Sequence, residues 1–334
     1  LNALHLGLSF MAIYKKSEAQ DWANQILRGQ WSTLVTPFTP DNKIDEMGLR
    51  SNIRHIRSLG TTGVGCTWGM GEFWSLTYKE RTNVYDIVAD EAAGTWNIGA
   101  HVTHTSISDK LALADAAEAT GFDLLIVAPP YFVTKTERQV LEFVRILANH
   151  SSLAIMFYNS PQFGIVMSSQ GLKEICKIKN VVGVKEASFD RQLTIETHQL
   201  IGNTAIISAP DEWVLFKGRE LGFQQQVMFA NTSDWRFDEI GSNHYVQFID
   251  HATAGNIDDQ LYQKHIQPLK TLSDQWWQRT MQQQNGALPV PMIKYWGELM
   301  GMASGEVRPP LINMPDKEKQ ELRSNLESIR NKGG

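Results

Sequence analysis

The sequence contains few cysteines and no long hydrophobic run. Its two cysteines, Cys66 and Cys176, lie far apart and do not form a Cys-x-x-Cys pair. A disulfide framework and a thiolate zinc site are therefore excluded, and isolated thiols are typical of a reducing compartment. No segment approaches the roughly 20 apolar residues that a transmembrane helix needs. We therefore expect a cytoplasmic protein with no membrane partner, and the apolar residues 1–10 lack the basic segment of a signal peptide.

The sequence also lacks a surplus of positive charge. Lys and Arg number 31 against 36 Asp and Glu, which gives a formal net charge of −5 at pH 7. Proteins that bind a phosphate backbone usually carry a basic stripe, so we expect no nucleic acid partner. The Gly-rich nucleotide motifs GxGxxG and GxxxxGK[ST] are missing as well. His101 and His104 form the segment HVTH, which supplies no third ligand, so no metal is predicted.

From residue 31 onward, short apolar runs alternate with segments of helical periodicity. The predicted strands cover residues 32–38, 63–68, 96–102, 124–130, 153–159, 181–187, 205–211 and 225–231. The predicted helices lie near 46–59, 78–93, 107–120, 136–149, 168–176, 190–201 and 212–221. Uniformly apolar strands are typical of parallel sheets that are covered on both faces. Eight such repeats predict an α/β fold, a (β/α)8 TIM barrel, rather than a doubly wound sheet with fewer strands.

After the eighth predicted strand the sequence pattern becomes entirely helical. Helices are predicted at about 237–254, 256–284, 290–301 and 314–331. The predicted organisation is an N-terminal extension over 1–30, a catalytic barrel over 31–235, and the last barrel helix with a C-terminal helical domain over 236–334.

Lys185 is unusual because it closes an otherwise apolar strand, VVGVKEA. Catalytic groups of TIM barrels come from the carboxyl ends of the strands. Alternation along this strand predicts Val181, Gly183 and Lys185 on one face. Burial there would lower the lysine pKa and supply the neutral amine that attacks a ketone to form a Schiff base. The residue pattern equally allows a lysine that reaches solvent and pairs with a loop carboxylate.

Tyr158 ends the preceding strand, on which Ala154, Met156 and Tyr158 share one face. Adjacent strands would place its hydroxyl beside Lys185. Imine formation needs a group that donates a proton and then accepts one, and a phenol can do both. A structural tyrosine whose hydroxyl caps a loop carbonyl is the alternative.

Several segments carry a resemblance to a known family. The most specific pair is FYNSP (157–161) followed by GVKEAS (183–188). Weaker matches are GQWSTLVTPF (29–38), GMGEFWSLTYKER (69–81), IVAPPYF (126–132), ELGF (220–223) and GEVRPPL (305–311). Over about 280 residues the chain resembles the dihydrodipicolinate synthase/N-acetylneuraminate lyase superfamily of pyruvate-dependent class I aldolases.

This resemblance implies how the protein works. Lys185 would form an imine with pyruvate or another 2-oxo acid, so no cofactor is required, and Tyr158 would be the general acid/base. Tyr131 matches the tyrosine that members lend to the proton relay of a neighbouring subunit, usually in a homotetramer, with a homodimer as the alternative. Backbone N–H groups of the Gly69–Gly71 turn would hold the pyruvate carboxylate.

The sequence also departs from the pattern of the synthases. Gly69 and Met70 occupy the positions of two hydroxyl residues, which leaves Thr67 or a water to link the tyrosines. Gln162 replaces an arginine that binds the carboxylate of the second substrate. Ala209 replaces a strand-seven glycine. These changes predict a divergent member rather than a dihydrodipicolinate synthase itself.

The predicted function is a Schiff-base lyase that joins or cleaves a 2-oxo acid and an aldehyde. A sugar-acid dehydratase or an aromatic hydratase-aldolase is the alternative in the same chemistry, and a ligand-binding barrel without turnover is the alternative from another class. Two of the ten tryptophans, Trp68 and Trp74, flank the predicted carboxylate turn and can stack on the aldehyde. Packing in the core or at a subunit interface is the alternative. Gln162, Ala209 and Met228 are further predicted substrate contacts, whereas Trp276 and Trp277 are predicted to pack.

Overall fold

A computed structural model describes residues 14–331 of the chain. Eight parallel strands form one sheet in the order β7-β6-β5-β4-β3-β2-β1-β8. The strands are β1 (Gly29–Thr33), β2 (Gly63–Cys66), β3 (Asn97–His101), β4 (Leu124–Val127), β5 (Ala154–Asn159), β6 (Val181–Glu186), β7 (Ile206–Ser208) and β8 (Val227–Asn231). The last gap, between β7 and β8, is bridged where the Phe229 N–H donates to Ser208 Oγ at 2.8 Å. The predicted TIM barrel is confirmed.

A helix follows each of the first seven strands. These helices are α2 (Glu46–Ser58), α3 (Tyr78–Ala92), α4 (Ile107–Ala119), α5 (Glu137–His150), α6 (Ser169–Cys176), α7 (Arg191–Ile201) and α8 (Trp213–Leu221). Six of the seven begin at a residue whose side chain accepts a hydrogen bond from a backbone N–H of the first turn: Asp45, Thr77, Ser106, Thr136, Ser168 and Asp190. Such caps satisfy N–H groups that the helix itself leaves unpaired, which explains why the predicted starts agree with the structure.

Further helices precede and follow the barrel. The first, α1 (Ala19–Ile26), lies in the segment predicted as an N-terminal extension, and its Trp22 packs into the interior of the barrel. After β8 come α9 (Ser233–Phe237), α10 (His244–Thr253), α11 (Asp259–Leu261), α12 (Gln267–Gln283), α13 (Val290–Leu299) and α14 (Asp316–Arg330). The C-terminal helices are therefore present, while the predicted domain boundaries at 30 and 235 stay a prediction. None of the helices within residues 14–331 has the length and apolar character to cross a membrane.

Large aromatic rings fill the interior of the barrel, and glycines on the strands leave room for them. Trp68 occupies the upper interior against Phe229. A Cβ on Gly65 would lie 2.4 Å from Trp68 Nε1, so only glycine leaves room for this ring. The interior near the site is thus a packed aromatic layer, and a lysine that points into it is surrounded by apolar atoms.

The structure corrects the predicted strand pattern in two places. β1 ends at Thr33, and the rest of this buried run, residues 34–38, is a loop apart from an isolated antiparallel bridge between Phe38 and Ile44. On β6, Ile155 and Met156 of β5 face Val181 and Gly183, so Val182 is an extra residue. This bulge turns Val181 outward into the core under the helices, and its predicted position on the face of Lys185 is wrong.

Candidate active site

A cavity of about 570 Å³ opens at the carboxyl ends of the strands. Its floor and walls include most of the residues predicted for the site: Trp68, Gly69, Met70, Tyr158, Lys185 and Ala209. Residues from the ends of four strands, β2, β5, β6 and β7, are thereby brought together, as expected for an active site of this fold.

Lys185 points into the barrel from the end of β6 and is only 6% exposed. Its Nζ donates to the Ala230 carbonyl at 2.8 Å and lies 4.4 Å from the Trp68 ring centroid and 4.7 Å from that of Tyr158. No carboxylate of residues 14–331 forms an ion pair with it, so the alternative of a solvent-facing, paired lysine is wrong. Burial lowers the pKa of Lys185 to about 7, and much of the amine is therefore neutral at physiological pH.

The carbonyl that holds Lys185 belongs to a bulge on β8. Trp31 and Ser32 of β1 face Phe229 and Asn231, which makes Ala230 the extra residue. Its φ is +51°, a conformation that non-glycine residues rarely adopt. Bulges beside active sites re-aim a group of the bulged strand, and here the group is the carbonyl oxygen that positions the amine.

Tyr158 stands directly beside Lys185, its partner in the strand pairing of β5 and β6. Its ring is buried and packs edge-on against Phe163, 5.2 Å away. No carbonyl of residues 14–331 accepts a hydrogen bond from its hydroxyl, so the structure does not show the capping role. Burial raises the pKa of Tyr158 to about 12, with a smaller opposing effect of the Ser160 hydroxyl. The phenol therefore keeps its proton at neutral pH and can act first as an acid.

The loop after β2 presents two backbone N–H groups to the cavity. The N–H groups of Gly71 and Glu72 close the turn on the carbonyls of Trp68 and Gly69, each at 3.0 Å. Those of Gly69 and Met70 have no acceptor among residues 14–331, and both residues line the cavity. Gly69 and Met70 can therefore hold an anion. The predicted contact through Gly71 is wrong, because its N–H is used inside the turn and the residue does not line the cavity.

Two residues that were not predicted from the sequence, Glu72 and Lys294, anchor this loop. Glu72 and Lys294 form an ion pair of 2.9 Å in which both side chains are fully buried. The second carboxylate oxygen of Glu72 accepts from the Arg308 N–H at 2.9 Å. In the sequence, Lys294 interrupts the apolar helix α13 and Glu72 lies within GMGEF. Each could have been noticed as an unusual charged residue, but no sequence pattern indicates that the two form a pair. The pair ties the carboxylate turn to the C-terminal helices.

We expect Glu72→Gln to destabilise the protein by about 3–5 kcal/mol, because it leaves the Lys294 ammonium buried without its partner. Urea unfolding measures this loss. The double variant Glu72→Gln/Lys294→Met removes both charges and should recover a large part of it. An equal loss in the single and double variants would show that the ion pair is not the cause.

A smaller aromatic cavity of about 170 Å³ adjoins the main one. Trp74, Tyr131 and Gln162 line it, together with Phe73 and Phe163. Tyr131 is half-buried, 5.8 Å from the Phe73 ring, and burial raises its pKa. The side-chain amide of Gln162 donates to the Gly286 carbonyl at 3.1 Å, so it joins the loop to the C-terminal segment. The predicted Trp68–Trp74 pair is divided between the two cavities.

Two substrate contacts were predicted at β7 and β8, Ala209 and Met228, and only the first lies at the cavity. Ala209 lines the cavity, and Gln225 holds its backbone N–H and C=O at 2.7 and 3.0 Å. Met228 is fully buried in the core between the strands and the helices. Val227 and Phe229 on either side point inward, so alternation turns Met228 outward. Its predicted substrate contact is wrong, and Asn231 lines the cavity instead.

The C-terminal helices close one side of the cavity, which the sequence did not predict. Arg236 of α9 and Lys270, Ser273 and Trp277 of α12 line it. Trp277, predicted only to pack, is thus also a cavity residue, whereas Trp276 is buried. No local motif marks these residues, because their position depends on how α12 folds back over the strand ends.

The first histidine of the HVTH segment lies inside a cluster of aromatic rings. His101 is buried between the rings of Trp68 and Phe73, and its Nδ1 lies 2.9 Å from the Thr67 carbonyl. The Thr67 hydroxyl in turn contacts the His101 carbonyl at 3.3 Å, away from Tyr158. Among residues 14–331, no group of three His, Cys, Asp or Glu side chains is placed to hold a metal ion.

Comparison with known proteins gives a family match over most of the chain. Residues 26–329 match the model of the dihydrodipicolinate synthetase family. The 4-hydroxy-tetrahydrodipicolinate synthase of Methanothrix thermoacetophila is 28% identical over 90% of this chain and 96% of its own length. That of Methanococcus maripaludis is 27% identical over 91% and 99%.

Solved structures give the same fold. A prophage protein of the dihydrodipicolinic acid synthase family from E. coli K12, in complex with pyruvate, has a TM-score of 0.77 at 21% identity, covering 91% of this chain and 99% of its own. A dihydrodipicolinate synthase variant described as monomeric has a TM-score of 0.77 at 20% identity, covering 92% and 98%. At these identities the likeness shows the barrel and its C-terminal helices.

Proposed function

Because the chain belongs to the dihydrodipicolinate synthetase family, we propose that it is a Schiff-base lyase whose nucleophile is Lys185. Family membership confirms the resemblance predicted from the sequence and the class I aldolase type of enzyme. The observation that carries the assignment of the residue is the buried amine of Lys185. It has a lowered pKa, no carboxylate partner within residues 14–331, and a phenol next to it on the neighbouring strand.

The first half of the reaction builds the imine. The neutral Lys185 amine attacks the ketone carbon of pyruvate or another 2-oxo acid, while Tyr158 gives its proton to the ketone oxygen. The carbinolamine then loses water and leaves a protonated imine on Lys185. The free N–H groups of Gly69 and Met70 hold the substrate carboxylate in this geometry. No cofactor takes part in these steps.

The second half uses the imine as an electron sink. The Tyr158 phenolate takes a proton from the adjacent carbon and leaves an enamine. The enamine adds to the carbonyl carbon of an aldehyde and forms the new C–C bond, while the aldehyde oxygen receives the proton. Hydrolysis then releases the product and restores the Lys185 amine. The reverse sequence cleaves the same bond. If the bound 2-oxo acid carries a β-hydroxyl group, the enamine expels it instead, which is the dehydratase alternative.

The remaining predictions concern Tyr131, the assembly and the location. Tyr131 is half-buried, and the next residue, Phe132, is 82% exposed. An exposed apolar ring beside this tyrosine supports a contact with a second copy of the chain, and hence a homotetramer or a homodimer. The family also includes a variant described as monomeric. The assembly and the cytoplasmic location stay predictions.

Borohydride trapping tests the proposal directly. With pyruvate present, reduction should give a covalent adduct on the intact protein, and peptide mass mapping should place it on Lys185. The rate of trapping should rise with pH up to about 7 and level off above it, since the neutral amine is the reacting form and its pKa is about 7. The absence of an adduct with pyruvate and with longer 2-oxo acids would favour a ligand-binding barrel without turnover.

A further inference from the structure

Arg236 is a buried cation in the wall of the main cavity, where α9 and α12 meet. It is 3% exposed, and its three hydrogen bonds all go to neutral hydroxyl groups. Nε donates to Thr232 at 3.0 Å, Nη1 to Ser273 at 2.6 Å and Nη2 to Ser233 at 3.4 Å. No carboxylate among residues 14–331 forms an ion pair with the guanidinium. A charge buried in this way is costly unless an anion approaches it.

Within the described part of the chain, the carboxyl groups nearest to Arg236 form no hydrogen bond with its guanidinium and affect its charge only by longer-range electrostatics. Glu212, Asp234 and Asp274 favour its charged form, yet burial outweighs them and lowers the pKa of Arg236 to about 10. Burial also raises the pKa of Glu212, and that of Asp234 to about 7. Two of these carboxyls are therefore themselves driven toward the neutral form and offset the guanidinium only in part.

The other charges of the wall already have partners. Lys270 lies 2.6 Å from Asp274, and Arg191 lies 3.7 Å from Asp211. Glu186 accepts hydrogen bonds from the Ser188 N–H at 3.1 Å and from Thr194. Arg236 also lies over the rings of Phe237 and Trp296, at 5.0 and 5.3 Å from their centroids. Apart from Lys185, it is the one cation of this wall, within residues 14–331, that has no carboxylate partner.

Arg236 and Ser273 line the same cavity, and both have donors that no bond uses. A guanidinium has five N–H groups, of which three are used here. The Ser273 oxygen accepts from Arg236, so its own proton can be donated to a ligand. We propose that Arg236 and Ser273 bind the anionic group, a carboxylate or a phosphate ester, at the far end of the aldehyde substrate.

This inference rests on the proposed function and defines its substrate class. The resemblance noted above places an arginine for the second carboxylate after the YNSP segment, where this chain has Gln162. Arg236 supplies the same chemistry from another wall of the cavity. Bidentate guanidinium contacts with carboxylates and phosphates are strong and directional, so the aldehyde is selected by its anionic end.

The test compares an anionic aldehyde with its neutral ester. With pyruvate as the donor, the wild-type kcat/KM should be at least about 30-fold higher for succinic semialdehyde, or for its malonic or glutaric homologue, than for the matching methyl ester. The three lengths should show an optimum, because the anion site is fixed relative to Lys185. Glyceraldehyde 3-phosphate against glyceraldehyde distinguishes a phosphate site from a carboxylate site.

Variants separate anion binding from a purely structural role. Arg236→Met should lower the ratio of anionic to ester kcat/KM to near one, and Arg236→Lys should retain part of it. Ser273→Asp places a carboxylate against the guanidinium and should abolish the preference in a protein that is at least as stable as the wild type. The control Arg219→Met removes a cation that is paired with Asp259 outside both cavities and should leave the ratio within about threefold.

Two results would overturn the inference while the proposed function stands. One is a wild type that traps pyruvate on Lys185 but has no preference for the anionic aldehyde at any length. The other is a set of variants that lower the activity toward both aldehydes equally. If no aldehyde turns over, binding of succinate and of inorganic phosphate to the pyruvate-loaded enzyme is measured by calorimetry instead. Binding that is lost in Ser273→Asp supports the site, and no binding overturns it.

Discussion

Replacing Lys185 with alanine is expected to abolish the trapping of pyruvate and to lower kcat/KM by about 10⁴-fold or more, because the reaction then has no nucleophile. Lys185→Arg should lose as much, since a guanidinium keeps the charge and can still contact the Ala230 carbonyl but does not lose its proton. Intact-protein mass spectrometry after borohydride reduction measures the first effect, and steady-state kinetics measure the second.

Another lysine of the chain provides a matched control. Lys110 is fully buried, its Nζ donates to the Phe143 carbonyl at 2.7 Å, and burial lowers its pKa to about 8. It lies under the helices, outside both cavities. Lys110→Met should still trap pyruvate on Lys185 at the rate of the wild type. An adduct that persists in Lys185→Ala would show that the nucleophile is another residue.

The second large effect is expected for Tyr158→Phe. Removing a positioned proton donor should slow imine formation by about 10²- to 10⁴-fold, while the ring still packs against Phe163 and Trp68. Rapid-quench trapping of pyruvate measures the rate. The adduct itself should still form on Lys185, only more slowly, because the nucleophile is intact.

Tyr85→Phe is the control for a buried tyrosine outside the cavity. The hydroxyl of Tyr85 donates to the His101 carbonyl at 2.7 Å. Since Thr67 and Arg81 also donate to that carbonyl, the loss should cost about 0.5–1.5 kcal/mol of stability and leave the trapping rate unchanged. A Tyr158→Phe variant that forms the imine as fast as the wild type would remove Tyr158 from the proton transfer.

The sequence alone was sufficient to predict the elements of the barrel and to single out Lys185 and Tyr158 as candidates for the chemistry. All the strands except β1, and the helices that follow them, overlap closely with their predicted bounds, since apolar runs and capping residues are local signals. Lys185 and Tyr158 were visible for the same reason, because a polar residue that ends an apolar strand contrasts with its neighbours. Their pairing followed from the order of the strands, which a barrel of consecutive parallel strands fixes.

Local sequence patterns could not predict contacts between residues that are distant in the sequence. The bulges at Val182 and Ala230 shift register only when two strands pair, so Val181 was predicted on the wrong face and the carbonyl that holds Lys185 was not predicted. Met228 was predicted at the site although its neighbours on β8 turn it outward. The buried Glu72–Lys294 pair joins residues more than 200 positions apart.

Few cysteines, no Gly-rich phosphate loop and no basic surplus left ordinary side chains as the candidates for the chemistry of this barrel. The sequence then singled out one lysine and one tyrosine, because those residues interrupt a local apolar pattern. Only the tertiary structure decided which side chains line the cavity, since α9 and α12 fold back over the strand ends and bring Arg236 and Ser273 to it. Proximity of that kind depends on packing between distant segments, and no periodicity within a segment encodes it.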